Sequence, residues 1–245
     1  MIQLAANCLF FINRTAFYNN WTTDSKGWGV AIHSGAANIC MHNVLAYGNK
    51  CTNSSPDTSI SFNSDGGWLV TNSTIVDNCK NGVFRANTTA FKTVFCNNIL
   101  VNRYFAGSVF HTDNNFGIFT DYGHNVLSYP STPSKPTLVS TDLIGNTDSS
   151  LGGSYVEQLT TEPYYACYQW NGSLSGFTAA TATEVENAIK AYDHSYTAES
   201  GSCNSNISNI GQAFYDWLSG LDALSLDIRK VSRTGTMWPG SYQNN

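Results

Sequence analysis

Charge is scarce in this chain: Lys, Arg, Asp and Glu make up only 12% of its 245 residues, about half the usual share in a soluble domain. The net charge is −5 and the lysines are scattered, which argues against nucleic acid, because phosphate contacts need a concentrated basic face. No apolar run approaches the roughly 18 residues of a membrane span. None of the seven cysteines forms a Cys-x-x-Cys pair, so zinc-ribbon and thioredoxin readings lack their motif. Free cysteine packs as a small hydrophobe, and most of the seven read as buried thiols. Cys51 with Cys79, at equivalent places in successive repeats, and Cys167 with Cys203 are candidate bridges. The opening "MIQLAANCLFFINRT" has no basic leader and no small-residue cleavage site, so it does not read as a signal peptide. It begins almost inside a repeat. The expectation is a chain cut from a longer protein, or a first turn covered by a partner.

What the sequence does have is asparagine, with 19 of its 27 copies before residue 130, and 42% apolar residues, enough for a sizeable core. "NRTAFYN", "NVLAYGN", "NSTIVDN" and "NNILVNR" start at Asn13, Asn43, Asn72 and Asn97, in steps of 30, 29 and 25, with a looser copy at His124-Asn125. A second set of strand-like segments, "VAIHSG", "ISFNSD", "GVFRAN" and "SVFHTD", superposes without gaps and puts Ile32, Phe62, Phe84 and Phe110 in one column. Short Val/Ile/Leu/Thr patches at such periods, with no helical pattern between them, describe coils of a parallel β-solenoid. Equivalent residues then lie about 4.8 Å apart up the stack. An asparagine at each bend tolerates the left-handed backbone and can bond its counterparts above and below.

From about Pro130 the repeat gives way to a Pro/Ser-rich stretch. "TATEVENAIKAYD" then opens with two overlapping capping boxes, Thr181…Glu184 and Thr183…Glu186. Val185, Ala188, Ile189 and Tyr192 share one helical face, as do Ile210, Phe214, Trp217, Leu218 and Leu221 in "NIGQAFYDWLSGL". We therefore expect an all-β protein: β-helix coils, about five, over residues 1–142, and a dependent capping or docking region with two short helices over 143–245.

If the Ile32/Phe62/Phe84/Phe110 column points inward, alternation turns its neighbours outward. One outward row is His33, Asn63, Arg85 and His111; the next is Gly35, Asp65, Asn87 and Asp113. Outward positions on any solenoid face water, so such a row also arises without a function. Asp65 and Asp113 sit two turns apart, about 9.6 Å at strand spacing, at the outer limit for an inverting glycosidase pair. The aromatic cluster "EPYYACYQW", with Tyr168 and Trp170, would supply one wall of a sugar cleft, and Trp21, Trp28 and Trp68 fall in or beside loops. The remaining histidines have no ligand spacing, so no metal is assigned.

The "N-x-[TVLI]-[AIL]-x-x-N" turns resemble those of right-handed parallel β-helix proteins of the pectin-lyase type. The tail "LDALSLDIRKVSRTGTMWPGSYQ" resembles the Asp…Arg…Gly-x-Tyr closing segment of secreted or surface β-helix proteins of the Bacteroidota type. The resemblance implies an extracellular or cell-surface protein that engages a polysaccharide along a parallel-sheet face. His33, Asn63, Asp65, Asn87, Tyr168 and Trp170 would contact the glycan. In a lyase of this type Arg85 would be the base or carboxylate clamp, with His111 and Asp113 assisting. Calcium often helps such enzymes, but it wants about 6 to 8 oxygens and the rows hold no acidic cluster, so no cofactor is expected. The alternatives are a polysaccharide lyase or glycoside hydrolase on the same face, and a structural adhesin or phage fibre segment.

Overall fold

The computed structural model describes residues 2–4, 6–22, 30–51, 61–79, 82–86, 92–103, 109–111, 118–128, 137–145, 156–159, 167–170, 177–202, 204–233 and 237–243. The chain climbs in rungs. β1 (Ile2–Leu4), β2 (Leu9–Asn13) and β3 (Ala16–Tyr18), with the short β4 (Trp21–Thr22), make the first. β5 (Ile32–Ser34), β6 (Asn38–His42) and β7 (Leu45–Cys51) make the second. β8 (Phe62–Ser64), β9 (Trp68–Thr71) and β10 (Thr74–Cys79) follow, then β11 (Phe84–Ala86), β12 (Lys92–Cys96) and β13 (Ile99–Asn102). Phe110, bridged in parallel to Phe84, leads into β14 (Ile118–Asp121) and β15 (Val126–Ser128), and β16 (Leu143–Gly145) adds a last strand. Equivalent strands pair in parallel into sheet A (β1, β5, β8, β11), sheet B (β2, β6, β9, β12, β14) and sheet C (β3, β7, β10, β13, β15, β16, with β4 beside β7). This is the parallel β-solenoid that the repeat predicts. An antiparallel hairpin, β17 (Val156–Leu159) and β18 (Cys167–Trp170), precedes the helices α1 (Ala182–Lys190) and α2 (Ile210–Ser219). No described helix is long and apolar enough to cross a membrane.

Register follows the apolar columns. Ile32 pairs with Phe62, Phe62 with Phe84 and Phe84 with Phe110, all of them buried. The Phe62 and Phe84 rings stack at 5.1 Å, and Trp68 and Phe95 meet Phe84 edge-on at 5.4 and 5.3 Å. A slip of one residue would turn this whole file to the outside, so burial fixes the register.

The bends carry the asparagines, with one correction. Asn43, Asn72, Asn97 and His124 are left-handed, with φ of 54°, 48°, 57° and 61°. In the first rung that place belongs to Arg14 (φ 49°), not Asn13, which ends β2 in register with His42. Strand length and apolar register decide which residue bends. A left-handed conformation costs an L-residue only about 1–2 kcal/mol, and the Arg14 guanidinium is held by the Asp222 carbonyl at 3.5 Å. The main side-chain ladder lies one residue past the bend. The Val44 N–H donates to Ser73 Oγ, Ser73 N–H to Asn98 Oδ1, Asn98 to Asn125 Oδ1, and Asn125 to Asp142 Oδ1, at 2.8–3.1 Å. Cys51 and Cys79 are register partners, and the Cys79 thiol lies 3.1 Å from the Ser61 hydroxyl.

Two of the three outer faces are apolar and largely covered. Helix α1 starts at Thr181, whose hydroxyl accepts from the Glu184 N–H while Glu184 accepts from the Thr181 N–H; of the two overlapping capping boxes, this one forms. It buries Val185, Ala188 and Ile189, and α2 buries Ile210, Phe214 and Leu218. With Tyr192 these pack on Cys40, Leu69, Val94 and Cys96 of sheet B. A fully buried side chain such as Phe214 contributes about 2–3 kcal/mol. Trp217 and Leu221, expected on the same helical face, remain partly exposed.

Over sheet C, Ile228, Trp238 and Tyr242 cover Leu45, Val76, Ile99, Val101 and Val126. The closing segment is held by Asp227, which is buried and accepts from the Arg229 guanidinium and from the N–H groups of Arg229, Val231 and Gln243.

Candidate surface on sheet A

The outer side of sheet A differs from the other two faces. Because Ile32, Phe62 and Phe84 point inward, the residue after each points out, and pairing sets Gln3, His33, Asn63 and Arg85 side by side. His111 continues the row: it follows Phe110, and its N–H donates to the Phe84 carbonyl at 3.0 Å. Beneath the row, the Ser34 and Ser64 hydroxyls stack inside at 3.2 Å. The Trp68 indole N–H reaches the Arg85 carbonyl at 3.2 Å, tying that strand to the core.

Burial divides the row. Asn63 and His111 are only 5% and 3% exposed, His33 and Arg85 are half-buried, and Gln3 and Asp65 are open to solvent. Solvent-side contact therefore falls to Gln3, His33, Arg85 and Asp65. Burial pulls the His33 imidazole below its ordinary value, and the Asp65 carboxylate works against that pull. His33 is accordingly neutral at pH 7, able to donate from one ring nitrogen and accept at the other. Arg85 Nε is buried and has no hydrogen-bond partner among the described residues.

The structure brings His33, Asn63, Asp65, Arg85 and His111 onto one face. Asn87 and Asp113 lie outside the described residues. The backbone of β18, which carries Tyr168 and Trp170, runs beside β7 and β10 of sheet C; the side chains of those two residues are also outside the description. Of the tryptophans singled out from the sequence, Trp68 is core, Trp21 is exposed and Trp28 falls outside the described residues. Gln3 was missed, although Ile2 and Leu4 on either side carry the same alternation as the later strands.

Asp65 is the single carboxylate on this face among the described residues, so they do not make up a two-carboxylate hydrolytic pair. No group of three His, Cys, Asp or Glu side chains suited to a metal occurs among them either. A lone carboxylate does not fit calcium, which wants about 6 to 8 oxygens. What the described row offers is a cation, a neutral imidazole and amides on a rigid, evenly spaced strip, which is chemistry for hydrogen bonding along an extended polar ligand.

No family model, curated protein or solved structure matches the chain. Its class is therefore defined by its own architecture, a parallel β-solenoid with a helical and tail-built cover.

Proposed function

We propose that the chain is an extracellular or cell-surface β-solenoid that binds a polysaccharide along the outer side of sheet A. One observation carries this reading. The outer face of sheet B and most of that of sheet C are apolar and covered by the chain's own C-terminal third, whereas sheet A turns a registered row of polar side chains outward. Gln3, His33 and Arg85, with Asp65 beside them, would make the contacts, and the buried Asn63 and His111 would hold the row in line. A glycan suits such a strip because it too repeats hydrogen-bonding groups at short, regular intervals. The finer likeness, to pectin-lyase-type helices of secreted Bacteroidota-type proteins, rests on the turn pattern and on a closing segment built around Asp227, Arg229, Gly240 and Tyr242.

The half-buried Arg85 guanidinium, in register with Asn63 on this face, favours a second reading, a polysaccharide lyase in which Arg85 meets a uronate carboxylate. A glycan array on the full chain, repeated with Arg85→Ala and His33→Ala, tests both. Binding to a defined glycan class that weakens in both variants supports the first. Release of unsaturated oligosaccharides that stops in Arg85→Ala supports the second. Unchanged binding in both variants would remove sheet A from consideration.

A further inference from the structure

Among the described residues Trp21 is the most exposed large apolar side chain, at 69%. It lies in β4, in register with Lys50 of β7, away from sheet A. Tyr18 and Tyr47, just before it on the two strands, stack at 5.5 Å with 5° between their planes, and Tyr18 is 44% exposed. Between these pairs the chain turns a corner at Asn19 and Gly48, with φ of 51° and 66°. Glycine suits the φ of 66° at position 48, and a Cβ there would sit 2.6 Å from Asn19 Oδ1, so the amide would have to turn aside to make room for a side chain. Beside this corner lies a groove of about 430 Å³ lined by Asn19, Trp21, Gly48 and Lys50, within the range of small-ligand sites, about 300–1,000 Å³.

The lining combines one flat apolar plate with an amide and an ammonium, and no described acid borders the groove. A pyranose ring has the matching construction: C–H bonds on one face to lie against an aromatic plane, and a rim of hydroxyls to accept from Lys50 and exchange hydrogen bonds with Asn19. A fixed, exposed indole in a strand also leaves an apolar surface in water that such a ring would cover. We propose that Trp21, Asn19 and Lys50, arranged around Gly48, form a sugar-binding subsite on the sheet C side of the solenoid. It shares its ligand class with the reading of sheet A but none of its residues, so either can fail alone.

The experiment is isothermal titration of the full chain with hexasaccharides of β-1,4-glucan, β-1,4-xylan and β-1,4-mannan, and with chondroitin sulfate, using Trp21→Ala, Trp21→Phe, Lys50→Ala and Arg85→Ala. Circular dichroism checks that each variant is folded. We expect at least one probe to bind. Trp21→Ala should weaken it about tenfold or more, Trp21→Phe less, and Trp21→Phe should also lose part of the tryptophan fluorescence change on binding. Binding lost in Trp21→Ala but kept in Arg85→Ala upholds the subsite and removes sheet A. The reverse pattern overturns the subsite and leaves sheet A standing. Failure of every probe to bind at millimolar concentration, or binding of a proline-rich decapeptide in their place, overturns the subsite.

Discussion

The guanidinium of Arg233 donates to Asn43 Oδ1 at 3.0 Å, joining the bend of the second rung to the closing segment 190 residues later. The same group donates to the carbonyls of Trp238 and Gly240 at 3.1 and 2.8 Å. Burial lowers its pKa to about 10, so it remains a cation at neutral pH and satisfies three acceptors that have little access to water. Replacing it with a shape-matched apolar residue strands all three. Arg233→Met should destabilise the fold by about 3 kcal/mol or more, measured by urea unfolding. Arg233→Lys, which keeps the charge but not the planar fork, should fall between. Equal stability of wild type and Arg233→Met would mean the tail is held by its apolar contacts alone.

Asp77 predicts an acid-side pH dependence. It is fully buried, and burial lifts its pKa from 3.8 to about 6 against the opposing hydrogen bonds from Ser61 and Asn49. Between about pH 4 and 6 the folded chain keeps a proton that the unfolded chain has released. Stability therefore falls as pH rises through that window, by about 3 kcal/mol from this group. An amide can still accept from the Asn49 N–H, which reaches Asp77 Oδ1 at 3.1 Å. Asp77→Asn should match wild type near pH 4 and exceed it at pH 7. Parallel stability curves for the two proteins from pH 4 to 7 would rule this out.

Gly66 packs directly against the backbone of the rung below. A Cβ there would lie 1.8 Å from the Ala37 carbonyl oxygen and 2.6 Å from its nitrogen. These are backbone atoms, so no rotamer change relieves the clash. Gly66→Ala should cost about 3 kcal/mol or more, or prevent folding. A thermal melt within a few degrees of wild type would show that the rungs can spread.

Thr181→Ala tests the helical cover locally. Losing the N-cap should cost about 1 kcal/mol. The Glu184 carboxyl is held low first by the Thr181 backbone N–H, which alanine keeps, and next by the Thr181 hydroxyl, which it lacks; losing the hydroxyl should move its titration part of the way up, which carboxyl NMR would show. A Glu184 titration unmoved in the variant would mean the capping box does not hold in solution.

How much of this was legible depended on what each residue reports. The inward file was readable because Ile32, Phe62, Phe84 and Phe110 are chosen by a dry interior, and period-two alternation exposes that choice. The α1 face was readable for the same reason, Val185, Ala188 and Ile189 being buried as their spacing implies. The first bend was misplaced by one because asparagine is favoured at a left-handed position without being required there, and Arg14 occupies it. The candidate surface was half legible. Alternation gives the direction of Asn63 and His111 but not that they are buried. The Trp21 groove was legible only in part: the sequence marks Trp21 beside a loop, but not that Asn19, Gly48 and Lys50 gather around it, which depends on the pairing of β4 with β7.

The tail reaches bends along most of the stack: Asp222 O to Arg14, Ala223 and Leu226 to Asn43, Gly240 to Asn97, with Thr178 reaching His124. Stacked repeats ordinarily melt piecemeal from an end, since each unit knows only its neighbours. Here one ribbon is laced through distant storeys, so no storey can loosen without pulling on the lace. Such a molecule should lose its structure in a single concerted step, and unlacing the C-terminal third should restore the gradual fraying typical of a bare stack.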